Sequence, residues 1–259
     1  MNIFVGKIFK QVQNAFAGRS KPRFIPHCKA CYTEEEIAHL LSIPYSLLTV
    51  KDLRPILWDG YTCWGTWPQI AYYVPRLMEF YNESLIPDED QLYAKLLLAV
   101  RSELELSVGI PEIGEEMTAE ERRSVFSFVA AVLENRLAEE VEYDKAWVLF
   151  ETLGFLSAFD QPIEPFLTKL ENSLNQRLRA NVCLLLADYT LSPEPFKNMW
   201  LKSLTPLAEN EKTLGFFFSP SHVVSYLSHH AGDVAMFGED REATVNLACD
   251  WALAQQEWI

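Results

Sequence analysis

No aspartate or glutamate occurs among the first thirty-three residues, which instead carry Lys7, Lys10, Arg19, Lys21, Arg23 and Lys29. The other 226 residues hold all 36 acidic side chains against 16 basic ones. A basic arm on an acidic body folds back onto it or reaches for another negative surface. The chain also lacks any apolar run near the roughly 20 residues that cross a bilayer, so no transmembrane segment is predicted. It has neither Gly-x-Ser-x-Gly nor a glycine-rich run, which removes the local signatures of a hydrolase elbow and a phosphate loop. At a net charge of −14 there is no broad basic surface for phosphates, and nucleic-acid binding is not expected. Residues 1–17 are interrupted by Lys and Gln and lack a cleavage pattern, so they do not read as a secretory signal. A transit peptide stays open, because acidic residues are absent, although Arg19 is the one Arg among the first 20 residues. Five cysteines form an odd, irregularly spaced set, which favours a reducing cytoplasm over a disulfide scaffold.

What is present is globular and helical. Hydrophobic residues make up 49% and aromatics 13% of the chain, enough for a sizeable core. Phe4, Ile8, Val12 and Phe16 recur every four residues, which predicts an amphipathic helix over 2–17, ended by Gly18 and docked on the body. Its alternative use is a membrane surface. Thr33 with Glu36, and Thr118 with Glu121, are capping boxes that open helices, and Thr49 and Thr66 are further starts. Pro75 either kinks a helix or sits in the first turn of a second one. Further helices are predicted over 88–107, 142–159, 162–172, 174–190, 194–203, 220–230 and 239–257, with Ala231-Gly232 as an ordinary stop. No segment alternates like a strand and no fixed repeat period is found. The expected fold is all-α, with antiparallel helix pairs packed as a bundle or HEAT-like superhelix. It is read as one domain over 1–259, with possible lobes 1–107 and 118–259 divided at the Gly/Pro loop 108–117.

Three clusters are candidates for chemistry. Cys28 and Cys31 have knuckle spacing, and His39 or the distant Cys63 would complete a tetrahedral zinc site. There is no second tight cysteine pair, so unliganded thiols and no cofactor are expected. Redox chemistry would want a strand before the motif, which the Pro-rich connector does not supply. His222, His229, His230 and Asp233 gather near one helix end and offer a metal site or acid–base catalysis. The plainer explanation is histidine favoured by the helix dipole. Trp64, Trp67, Tyr72 and Arg76 are either a packed aromatic hinge or an interface hot spot. Glu115, Glu116 and Glu120 are either solvated first-turn carboxylates or a docking patch for a basic partner.

Cys28 and Cys31, Glu34 to Glu36, Trp64-Gly65 and Tyr73-Val74-Pro75-Arg76-Leu77 together resemble a family of bacterial helical proteins of no settled function. The match covers roughly residues 28–80, with a fainter echo at Ser173 to Ala180. The resemblance implies an all-α fold and a bacterial cytosolic origin, and it brings no catalytic residues. With no complete catalytic signature, the leading expectation is a non-enzymatic, acidic, helical binding module, of immunity or inhibitor type, that captures a basic protein partner. The alternative is a metal-dependent or His/Asp-based enzyme.

Overall fold

In a computed structural model of the chain, the described residues are 3–61, 63–86, 89–100, 117–139, 146–159, 161–192 and 208–256. Among them are thirteen α-helices and no strand, so the fold is all-α. Two single-residue bridges, His27–Trp64 and Gly60–Trp64, are the extended pairings among the described residues. The chain divides into two compact units, 1–128 and 129–259, and the division falls inside helix α7 (Ala119–Ala138). The loop expected to divide lobes lies, up to residue 116, outside the described residues, as does the helix expected over 194–203.

The first unit begins with α1 (Ile3–Ala15), which packs against α5 (Val74–Asn82). Val5, Phe9 and Val12 are buried along it, followed by Phe16, while Lys7 and Lys10 are exposed. Phe9 lies 5.5 Å from the Phe128 ring and Phe16 meets Trp67 edge-on at 6.3 Å. The helix stops at Ala15, three residues before Gly18, in a turn over 16–18. Helices α2 (Glu34–Ser42) and α3 (Val50–Asp59) each open on a complete capping box, Thr33 with Glu36 and Thr49 with Asp52. Both boxes satisfy amides that a helix start leaves bare. Pro55 lies inside α3, where it removes one helical hydrogen bond. Thr66 and Gln69 open the short α4 (Trp67–Ala71), and Pro75 sits in the first turn of α5 rather than at a kink. Helix α6 (Glu89–Leu98) brings Leu92, Tyr93, Leu96 and Leu97 into the core.

The second unit contains α8 (Ala146–Ala158), α9 (Glu164–Glu171), α10 (Gln176–Leu191) and α11 (Ala208–Phe217). It ends in α12 (Pro220–His230) and α13 (Glu239–Gln256). Helix α13 packs on α10 and α12 through Val245, Ala248 and Ala252, whose small size lets the backbones approach. Two buried amides fasten the unit. Asn210 donates to the carbonyls of Ser157 and Gln161 and accepts from the Ile163 amide, and Asn181 donates to the carbonyls of Leu137 and Glu139. Two features differ from the sequence expectation. Helix α11 lies where no helix is predicted; and although α12 ends at His230 with Ala231 as its C-cap, as expected, the chain continues as 3-10 turns from Ala231 to Phe237 before breaking at Gly238.

Candidate functional site

The Cys-x-x-Cys motif and Cys63 meet in the first unit. Residues 25–31 run beside the tight loop that follows α3, joined by Cys28 N–H donating to the Cys63 carbonyl (2.9 Å) and Gly65 N–H donating to the Pro26 carbonyl (2.7 Å). That loop folds back because the amides of Cys63 and Trp64 both donate to the Asp59 carbonyl. Gly60 is required there, since a Cβ would stand 2.4 Å from the Ile56 carbonyl oxygen. Tyr61 holds a left-handed φ of 71°, uncommon for a large side chain and a local strain that turns the chain toward Cys63.

The sulfurs of Cys28, Cys31 and Cys63 lie within 4.8 Å of one another. The Cys31 and Cys63 sulfurs are 3.4 Å apart. Cys28 and Cys63 are half-buried and Cys31 is exposed, so the cluster opens to solvent. The Cys31 amide donates to the Cys28 carbonyl (3.0 Å), and hydrogen bonding by the Ala30 amide first, then by the Cys31 thiol and amide, holds the Cys28 thiol below the ordinary value. Cys31 moves the other way, to about 12, chiefly because its hydrogen bond to Cys63 favours the protonated form. The Tyr32 hydroxyl donates to Asp59, tying the end of the knuckle to the end of α3. His39 does not join the thiols, because α2 carries it away on an exposed turn.

The histidines do not converge. Among the described residues the three thiols form the one group of His, Cys, Asp or Glu with metal-ligand proximity. His222 Nε2 is 2.8 Å from Glu171 and its Nδ1 is 2.7 Å from the Phe217 carbonyl. The Glu171 carboxylate raises the His222 pKa, against the opposing effect of partial burial. Glu171 also lines an open cleft of about 370 Å³ with Glu164, Lys212 and Phe216. His229 bonds its own helix at the Ser225 carbonyl. Asp233 takes a two-point bond from Arg179, at 2.7 and 3.3 Å, with His230 Nδ1 at 3.5 Å, and the Arg179 guanidinium holds its carboxyl below the usual range.

The aromatic candidates are interior. Trp64 and Trp67 are buried, so they serve as the packed hinge rather than as a surface. Tyr72 is half-buried between Tyr45 and Tyr73, and Arg76 donates to the Leu48 carbonyl and pairs with Glu79. Glu120 is exposed in the first turn of α7, whereas Glu115 and Glu116 lie outside the described residues.

The sequence reading missed the outward face of α13. Asp240, Ala243, Leu247, Asp250, Trp251 and Ala254 recur at helical spacing on the side opposite Val245, Ala248 and Ala252, and all six are exposed. Leu247 retains 57% and Trp251 48% of full exposure. The available signal was a helix with two apolar faces, one of small residues and one of large. Comparison with protein-family profiles, curated proteins and solved structures finds no match to the chain.

Proposed function

We propose that this protein is a non-enzymatic binding module of inhibitor or immunity type, which captures a basic partner by seating an amphipathic helix of that partner along α13. The observation that carries the reading is the apolar stripe Ala243–Leu247–Trp251–Ala254, left exposed and bordered by Asp240 and Asp250. Leucine and tryptophan at i and i+4 supply the area that an apolar helix face covers. The flanking carboxylates, with exposed Glu239 beside them, select a partner whose polar edge is basic. The excess of acid over the whole chain speeds capture of such a partner. An acid–base enzyme is less favoured, because His222, His229, His230 and Asp233 are each engaged by a neighbour. The setting we propose is the bacterial cytoplasm, on the resemblance over residues 28–80 and the free cysteines.

The test compares wild type with a Leu247→Asp/Trp251→Ala variant and a second variant with Asp240→Lys and Asp250→Lys. Each is immobilised in lysate of the native organism at low and moderate salt. The expected result is one basic protein retained stoichiometrically by wild type. Its retention falls at least about tenfold in the apolar variant, as for a hot-spot loss, and weakens with salt and charge reversal. Equal retention by wild type and the apolar variant, or no stoichiometric partner, would overturn the proposal.

A further inference from the structure

The thiol cluster lies in the first unit and is independent of α13. Three side chains from two segments, 32 residues apart between Cys31 and Cys63, bring their sulfurs within 4.8 Å. Around a tetrahedral zinc ion with Zn–S bonds of about 2.3 Å, neighbouring sulfurs stand about 3.8 Å apart. The 3.4 Å separation of Cys31 and Cys63 lies close to that edge length, and all three sulfurs fall within 4.8 Å of one another. A simple disulfide pair would leave the third thiol unexplained.

We infer that Cys28, Cys31 and Cys63 form a three-thiolate site for a thiophilic divalent cation, Zn²⁺, that clasps the knuckle to the loop after α3. An all-sulfur donor set excludes the hard, oxygen-seeking cations Mg²⁺ and Ca²⁺. Among the described residues no fourth His, Cys, Asp or Glu joins the group, and exposed Cys31 marks the open side, where water completes the tetrahedron. Binding converts three thiols to thiolates and releases their protons to solvent, with no change of oxidation state. The Tyr32–Asp59 bond and the Cys28–Cys63 backbone bond act as outer supports that hold the sulfurs in register before the ion arrives. The expectation of unliganded thiols drawn from the lone Cys-x-x-Cys is thus replaced by a proposal that rests on Cys63.

The experiment uses the intact chain. Protein purified under reducing conditions is assayed for zinc by mass spectrometry, then stripped and titrated with Co²⁺, whose thiolate charge-transfer band reports sulfur ligation. The expected outcome is about one equivalent of metal per chain and a band that weakens in Cys31→Ser, with Cys249→Ser unchanged. Because a cysteine variant can misfold, wild-type protein is also alkylated with and without Zn²⁺. Mapping of the adducts is expected to show Cys28, Cys31 and Cys63 protected at least about tenfold by the metal, while Cys249 reacts alike in both. Reduced protein that takes up neither ion would overturn the proposal. So would metal that protects none of the three thiols, or isolation of the native chain with Cys31 and Cys63 joined as a disulfide.

Discussion

His222 shows how a residue chosen for chemistry can be held by structure instead. Its Nδ1 faces the Phe217 carbonyl and its Nε2 faces Glu171, so both ring nitrogens are spent within the second unit. A proton on the ring then links α12 to the end of α9. The Glu171 pair raises the folded pKa of this histidine. Its stabilising contribution is therefore fully present below the ordinary histidine value of about 6.5 and is lost as pH rises through the raised folded value. Glu171→Gln is expected to lower stability by up to about 1 kcal/mol near pH 5.5, since the pair is partly solvated, and by less near pH 8.5. Urea unfolding at the two pH values measures it. A deficit that grows with pH would show that the ring bonds the carboxylate as a neutral group. Asn210 makes the complementary case. A buried amide with three backbone partners was invisible as a site in the sequence, because its role depends on a loop 47 to 53 residues away.

Among the elements, signals carried by neighbouring residues are legible in the sequence, whereas those that depend on tertiary closure are not. The capping boxes at Thr33, Thr49 and Thr118 involve residues three apart, so sequence and structure agree on those starts. Helix α11 escaped because its periodicity is weak: Phe217 turns inward, Phe216 outward, and a key inward position is the polar Asn210. Trp64 and Trp67 carry side chains equally suited to a core or a hot spot, and only their tertiary neighbours make them core. The knuckle spacing was legible, but Cys63 joins it only because the loop after α3 reverses within a few residues. Gly60 is the residue on which that reversal turns. Gly60→Ala would push a methyl into the Ile56 carbonyl, a backbone atom that cannot rotate away. It is expected to cost about 2 kcal/mol or more and to raise the alkylation rate of Cys63, both measurable on purified protein. A variant as stable as wild type would show that the C-terminal turn of α3 yields freely.

For the molecule as a whole, the uneven charge of the sequence becomes a specific contact. The basic arm does return to the acidic remainder, at Arg19, whose guanidinium makes a two-point bond of 2.6 and 2.9 Å with Glu121. These residues stand 102 positions apart, so the pair joins the exit of α1 to the start of α7 within the first unit. Glu121 is the more consequential partner. Its side chain is only 2% exposed, and it also accepts from the Thr118 amide as the acid of the capping box. Removing the cation alone would leave a buried carboxylate with its charge uncompensated. Arg19→Ala is therefore expected to cost about 3 kcal/mol, the range for breaking one side of a buried pair. The double change Arg19→Met with Glu121→Met removes both charges and should recover a large part of that loss, limited by the missing cap. Thermal or urea unfolding of the two variants distinguishes the cases. If Arg19→Ala is no less stable than wild type, the arm is held by the apolar face of α1 alone, through Val5, Phe9, Val12 and Phe16. The charge asymmetry of the chain would then belong to its partners rather than to its fold.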